Sequence, residues 1–169
     1  MRIITAEQIN AHSPYHVIEV AENAFALITS EGVRYSIGFM EDSNLDMPNV
    51  YHFYITNIDN RKTQHDPSLN ETIFVILEAF FDSSNRSMLY LCDMQDNRQA
   101  VRNRLFTYWF VNHEKHNLLT LITREFVYQK DKFFTGLILR NDNPKYREVI
   151  NTFNGFLDNL PNEFPGSKD

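Results

Sequence analysis

At 169 residues, 43% hydrophobic and 14% aromatic, the chain has the length of one domain and is too apolar to be disordered. A net charge of −6, with no long run of Lys and Arg, argues against a general nucleic-acid role, which needs a basic surface to release counterions. The single cysteine, Cys92, excludes an internal disulfide and suits a reducing compartment.

Residues 1–12 read as a weakly ordered start, with one short helical turn from Thr5 to Asn10. They lack the apolar stretch and cleavage site of a signal peptide, and no apolar run approaches the ~18 residues of a membrane span. The expectation is a cytoplasmic protein with no membrane contact.

Tyr15 to Val20 reads as a strand. Ala24 to Thr29 and Val33 to Met40 flank Ser30-Glu31-Gly32 and read as a hairpin. In its second arm Val33, Tyr35, Ile37 and Phe39 alternate with Arg34, Ser36 and Gly38, the period of a half-buried strand. Glu41 to Pro48 reads as a polar loop, and Val50 to Asn57 as a fourth strand with Tyr51, Phe53 and Ile55 on one face. After the loop from Ile58 to Pro67, Ser68 and Glu71 have capping-box spacing. Ile73 to Phe81 then gives a helix with a broad apolar side opposite Glu71, Glu78 and Asp82. Met88 to Cys92 is the continuous apolar run of a central strand.

A second long helix is predicted from Asn97 to Asn112, with Asp96 as N-cap and Gln99 answering it. At about 100° per residue, Val101, Leu105, Tyr108 and Trp109 form an apolar stripe, and Arg98 and Arg102 fall inside it, about 40° apart. A charge facing the core must be paired or must bind something. Arg98 and Arg102 are therefore the anion-binding candidates. Asp93 and Asp96 are the carboxylates that would pair them, and Cys92 is the neighbouring thiol. Two negative charges beside two positive ones favour internal pairing over a ligand. Leu118 to Tyr128 and Phe133 to Arg140 form a second hairpin around Gln129 to Lys132. Asn143-Pro144 caps a helix whose stripe is Tyr146, Val149, Ile150, Phe153, Leu157 and Leu160. Pro161 stops it, and 162–169 reads as a loose tail.

The order β-β-β-β-α-β-α-β-β-α predicts one α+β domain over 1–169, with a mixed, mostly antiparallel sheet flanked by helices. No catalytic residue can be assigned. His113 and His116 miss the spacing of a His-Glu-x-x-His zinc site, and His12, His16, His52 and His65 show no ligand spacing, so no metal is expected. Tyr35, Tyr51, Phe53 and Tyr54 lack the interleaved Lys and Arg of a base-stacking surface. There is no Walker loop, nucleophile elbow or dinucleotide fingerprint.

The strand–helix–strand–helix–strand–strand order from Val50 to Arg140 resembles the second half of the GCN5-related acetyltransferase fold. That family holds the pyrophosphate of acetyl-CoA on a Gly-rich loop before the helix that follows its fourth strand. The corresponding stretch here, Asn60 to Leu69, has no glycine, and Asp66 adds a repelling charge. The resemblance thus implies the fold without its CoA-binding loop. The pattern Leu91-Cys92-Asp93-x-x-Asp96-x-Arg98-x-x-x-Arg102-x-Arg104-Leu105-Phe106-x-x-Trp109-Phe110, with Thr72-Ile73 and Phe80-Phe81 upstream, is similar to an uncharacterised family of Bacteroidetes proteins. That similarity implies a bacterial protein and carries no assigned activity.

The expected function is a non-catalytic binding or protein-interaction domain, with an unidentified protein partner or a second copy and no cofactor. The alternative is a divergent acyltransferase-like enzyme. It would use Cys92, Tyr90 or Asp93, with Arg98 and Arg102 holding an anionic group and acetyl-CoA as cofactor. That alternative predicts a cleft where the Leu91 to Asp93 strand end splays from the Val50 to Asn57 strand.

Overall fold

The structure, a computed structural model, describes residues 1–92, 107–113 and 116–160. In chain order its elements are α1 (Ala6–Asn10), β1 (Ile18–Ala21), β2 (Ala24–Ile28), β3 (Arg34–Glu41), β4 (Val50–Asn57), α2 (Pro67–Phe80) and β5 (Ser87–Cys92). There follow α3 (residues 107–112), a 3₁₀ turn (His116–Leu118), β6 (Leu119–Tyr128), β7 (Asp131–Arg140) and α4 (Tyr146–Asp158). The strands form a seven-stranded sheet in the order β1-β2-β3-β4-β5-β7-β6. β4 and β5 run parallel, while β1/β2, β2/β3, β5/β7 and β6/β7 are antiparallel. The architecture is the α+β class read from the sequence, with a mixed sheet flanked by helices. Of the long helix expected from Asn97, only 107–112 are described and helical.

The described residues form two compact units: Met1–Glu41 with Phe53–Ser83, and Asp42–His52 with those from Ser84 onward. In the first, β2 and β3 bury Phe25, Leu27, Tyr35, Ile37 and Phe39. Phe39 stacks on Phe80 of α2 with ring centroids 4.4 Å apart. The hairpin closes as its residues require. Thr29 N donates to Val33 O (2.9 Å), and Gly32 takes the left-handed φ of 76° that ends a three-residue loop. The opening residues are anchored despite their weak pattern. Thr5 and Gln8 form a capping box on α1, Ile3, Ile4 and Ile9 are buried, and Asn23 Oδ1 accepts Ile3 N at 2.7 Å.

The start of α2 corrects one expectation. Asp66, not Ser68, is the N-cap, accepting Ser68 N (3.0 Å) and Leu69 N (3.2 Å), with Pro67 in the first turn. Proline lacks the N–H that a first-turn position leaves unbonded anyway, so the helix opens at Pro67.

A surface pair in this unit sets an acid dependence. Arg34 donates its backbone N (2.8 Å) and its Nε and Nη2 (2.9 and 2.6 Å) to Asp59. The guanidinium hydrogen bond, then the backbone one, holds the Asp59 carboxyl below its usual 3.8. The folded state therefore binds fewer protons here than the unfolded chain just below that value. The pair's stabilisation is present above it and is lost as pH falls through the folded value. Asp59→Asn should flatten the dependence of Tm on pH between about 2 and 5 relative to wild type. Parallel curves would show that the pair contributes nothing.

In the second unit the register builds a face from alternate residues. His52, Leu89, Leu137 and Ile122 lie in one row across β4, β5, β7 and β6, and Leu91, Thr135 and Arg124 in the next. α4 covers this face. Its Val149, Phe153 and Leu157 join Leu45, Met47, Val50, Leu89, Leu137 and Leu139 in one core. The apolar stripe read for α4 is the side it buries. Its cap is not the expected one. Lys145 occupies the N-cap without a side-chain bond, and Asn143 Oδ1 instead accepts Lys145 N at 2.9 Å. The β6/β7 turn is also tighter than the four-residue loop expected. Tyr128 pairs with Asp131, and Gln129 and Lys130 both take positive φ (53° and 70°), the form of a two-residue hairpin turn.

Candidate functional site

The stretch from Glu41 to Pro48 is the polar loop expected, exposing Ser43, Asn44, Asp46 and Pro48, but it buries Asp42, Leu45 and Met47. It places Leu45 and Met47 in the core of the second unit, with left-handed φ at Asp46 (49°) and Asn49 (61°) accommodating the bend. Asp42 anchors it. Its backbone N donates to Val50 O at 2.7 Å, and its Oδ2 accepts Leu45 N at 2.7 Å. Its Oδ1 lies 2.5 Å from His52 Nε2. The Asp42 side chain is 1% exposed and that of His52 33%, so a buried carboxylate holds an imidazole that reaches solvent.

This geometry fixes which ring nitrogen does what. The carboxylate accepts, so Nε2 carries the proton toward Asp42 and a neutral ring presents an unprotonated Nδ1. That Nδ1 has no hydrogen bond to a described residue. His52 also lines a pocket of about 140 Å³ walled mainly by Leu45, Leu89, Leu91, Phe126, Phe153 and Leu157, with Phe156, Asn44, Asp42 and Thr135 completing its described lining. Thr135 does not offer its hydroxyl proton, because Oγ1 donates to Tyr90 O at 2.9 Å. Both Asp42 oxygens are likewise engaged. The described lining is therefore largely apolar, with a neutral His52 offering an acceptor and Asn44 an amide, a combination suited to small-molecule binding.

The described lining of this pocket consists of residues that the sequence reading did not single out for a site. Arg98, Arg102, Asp93 and Asp96 lie outside the described residues. Cys92 is the last residue of β5, in register with Phe134. Tyr90, a candidate for catalysis under the enzyme alternative, is 1% exposed and alternates with Leu89 and Leu91, on the sheet face away from the pocket. The β4/β5 register covers Val50–His52 against Ser87–Leu89. Among the described residues no group of three or more His, Cys, Asp or Glu is placed to hold a metal ion, and no helix is long and apolar enough to cross a membrane.

Sequence reading missed Asp42 and His52, because it weighed histidines by ligand spacing and 41–48 by polarity. A usable signal was present. His52 follows Val50 by two on a strand, so it shares the face of a core residue, where an imidazole needs a partner.

Residues 65–155 match the model of a family described as "Family of unknown function (DUF6169)". No curated protein matches the chain. Among solved structures it is similar to "a CoA-dependent acyl-homoserine lactone synthase, MesI", at 10% identity and a TM-score of 0.38, over 82% of this chain and 72% of that one.

Proposed function

Because this chain belongs to the DUF6169 family, a family of unknown function, its role has to be read from its own site, and we propose that it is a cytoplasmic binding domain whose ligand occupies the pocket beside His52. The observation that carries this reading is the Asp42–His52 pair in the wall of an apolar pocket. A buried carboxylate orients an imidazole whose second nitrogen is left for something else.

The binding reading is favoured over the acyltransferase-like alternative by the state of the described lining groups. The carboxylate of Asp42 and the hydroxyl proton of Thr135 are both engaged within the protein, so among the described lining residues His52 and the amide of Asn44 are left to meet a ligand's polar atom, and neither is a nucleophile set up for acyl transfer. The alternative draws on Arg98 and Arg102, outside the described residues.

Thermal unfolding with benzene as the probe tests the pocket. At ten times its dissociation constant a ligand adds about 1.4 kcal/mol, or roughly 3–6 °C in midpoint for a chain of this size. Leu91 lies at the rim, 51% exposed, and Leu91→Trp should abolish the shift with little change in the midpoint of the free protein. An equal shift in both proteins would place benzene elsewhere and overturn the reading.

A further inference from the structure

Resting on the pocket reading above, we propose that the ligand is a small uncharged phenol: one aromatic ring, seated among the pocket's leucines and phenylalanines, whose hydroxyl donates to His52 Nδ1. Three observations converge on this class. The first is size. About 140 Å³ matches cavities that hold a single benzene ring. The second is the wall. Phe126, Phe153 and Phe156 offer ring faces and edges to an aromatic guest, and Leu45, Leu89 and Leu157 fill the remainder. The third is polarity. Asp42 fixes the Nε2 proton, so a neutral His52 presents an acceptor and the ligand must bring the donor.

Charge narrows the class further. Among the described lining residues the titratable groups are Asp42 and His52, with no Lys or Arg, so a carboxylate or phosphate would set a second negative charge beside the buried Asp42 without a described cation to offset it. A cation would meet Asp42 with both oxygens already engaged. A phenolic hydroxyl meets the site without either cost.

The test is an NMR titration of the full chain with phenol, benzene, benzoate and N-acetyltyrosinamide. One neutral hydrogen bond corresponds to phenol binding about fivefold more tightly than benzene. In His52→Gln, whose amide can still donate to Asp42, the preference should vanish while benzene binding persists. The wild-type ratio stands even where that variant fails to fold. Equal affinity for phenol and benzene, or a preference for benzoate, overturns the phenol assignment and keeps the pocket. Tighter binding of N-acetyltyrosinamide than of phenol overturns the free small molecule in favour of a tyrosine on a partner chain. No binding of any of the four overturns the pocket reading itself.

Discussion

Asp42→Leu is expected to destabilise the fold by about 2–4 kcal/mol, lowering Tm on the order of 10 °C. Asp42 makes two bonds from one buried carboxylate. Leu45 N would lose its acceptor in a closed loop, and His52 would lose the charge that orients it. The first loss is the larger, since an unsatisfied buried N–H costs about 1–3 kcal/mol and the partly exposed imidazole can turn to water. Asp42→Asn separates the two. Its amide oxygen can still accept Leu45 N, so it should retain more than half of the lost stability. Urea unfolding of the two variants checks this. Equal stability of Asp42→Leu and wild type would remove the loop anchor from the account.

Gly136→Ala is expected to cost about 3 kcal/mol, at the upper end of ordinary overpacking. A β-carbon at Gly136 would overlap the Tyr90 ring at Cε1, Cζ and the hydroxyl. That ring is 1% exposed and cannot swing out, and β5 and β7 pair on both sides of it, with Tyr90 opposite Gly136. The strands therefore cannot separate to make room. A double-mutant cycle with Tyr90→Leu measures the clash. The double variant should be more stable than the sum of the two single effects by about 1–3 kcal/mol. Strict additivity would mean that the ring relaxes by itself.

How far the sequence reached depends on whether a residue's role shows in local pattern. The alternation of Tyr35, Ile37 and Phe39, and the stripe of Val149, Phe153 and Leu157, are the buried faces of β3 and α4, and Val33 is buried just ahead of β3. Periodicity reports burial directly, so these elements were legible. Caps were less so. Ser68 has the capping-box spacing, but Asp66 and Pro67 decide where α2 opens. The β6/β7 turn was read too wide because Gln129 and Lys130 are not the Gly, Asn or Asp that announce a two-residue hairpin. The pocket was hidden for a different reason. Asp42, Leu45 and His52 meet through a bent loop with two left-handed residues, and no periodicity encodes such a bend. The two arginines that the helical wheel singled out, Arg98 and Arg102, lie outside the described residues.

The most direct measurement is a methyl-resolved NMR spectrum of the full chain as benzene is added. Shifts should concentrate on Leu45, Leu89, Leu91 and Leu157, which line the pocket, and should be lost in Leu91→Trp. Shifts confined to other methyl groups, or the same shifts in Leu91→Trp, would contradict the pocket reading.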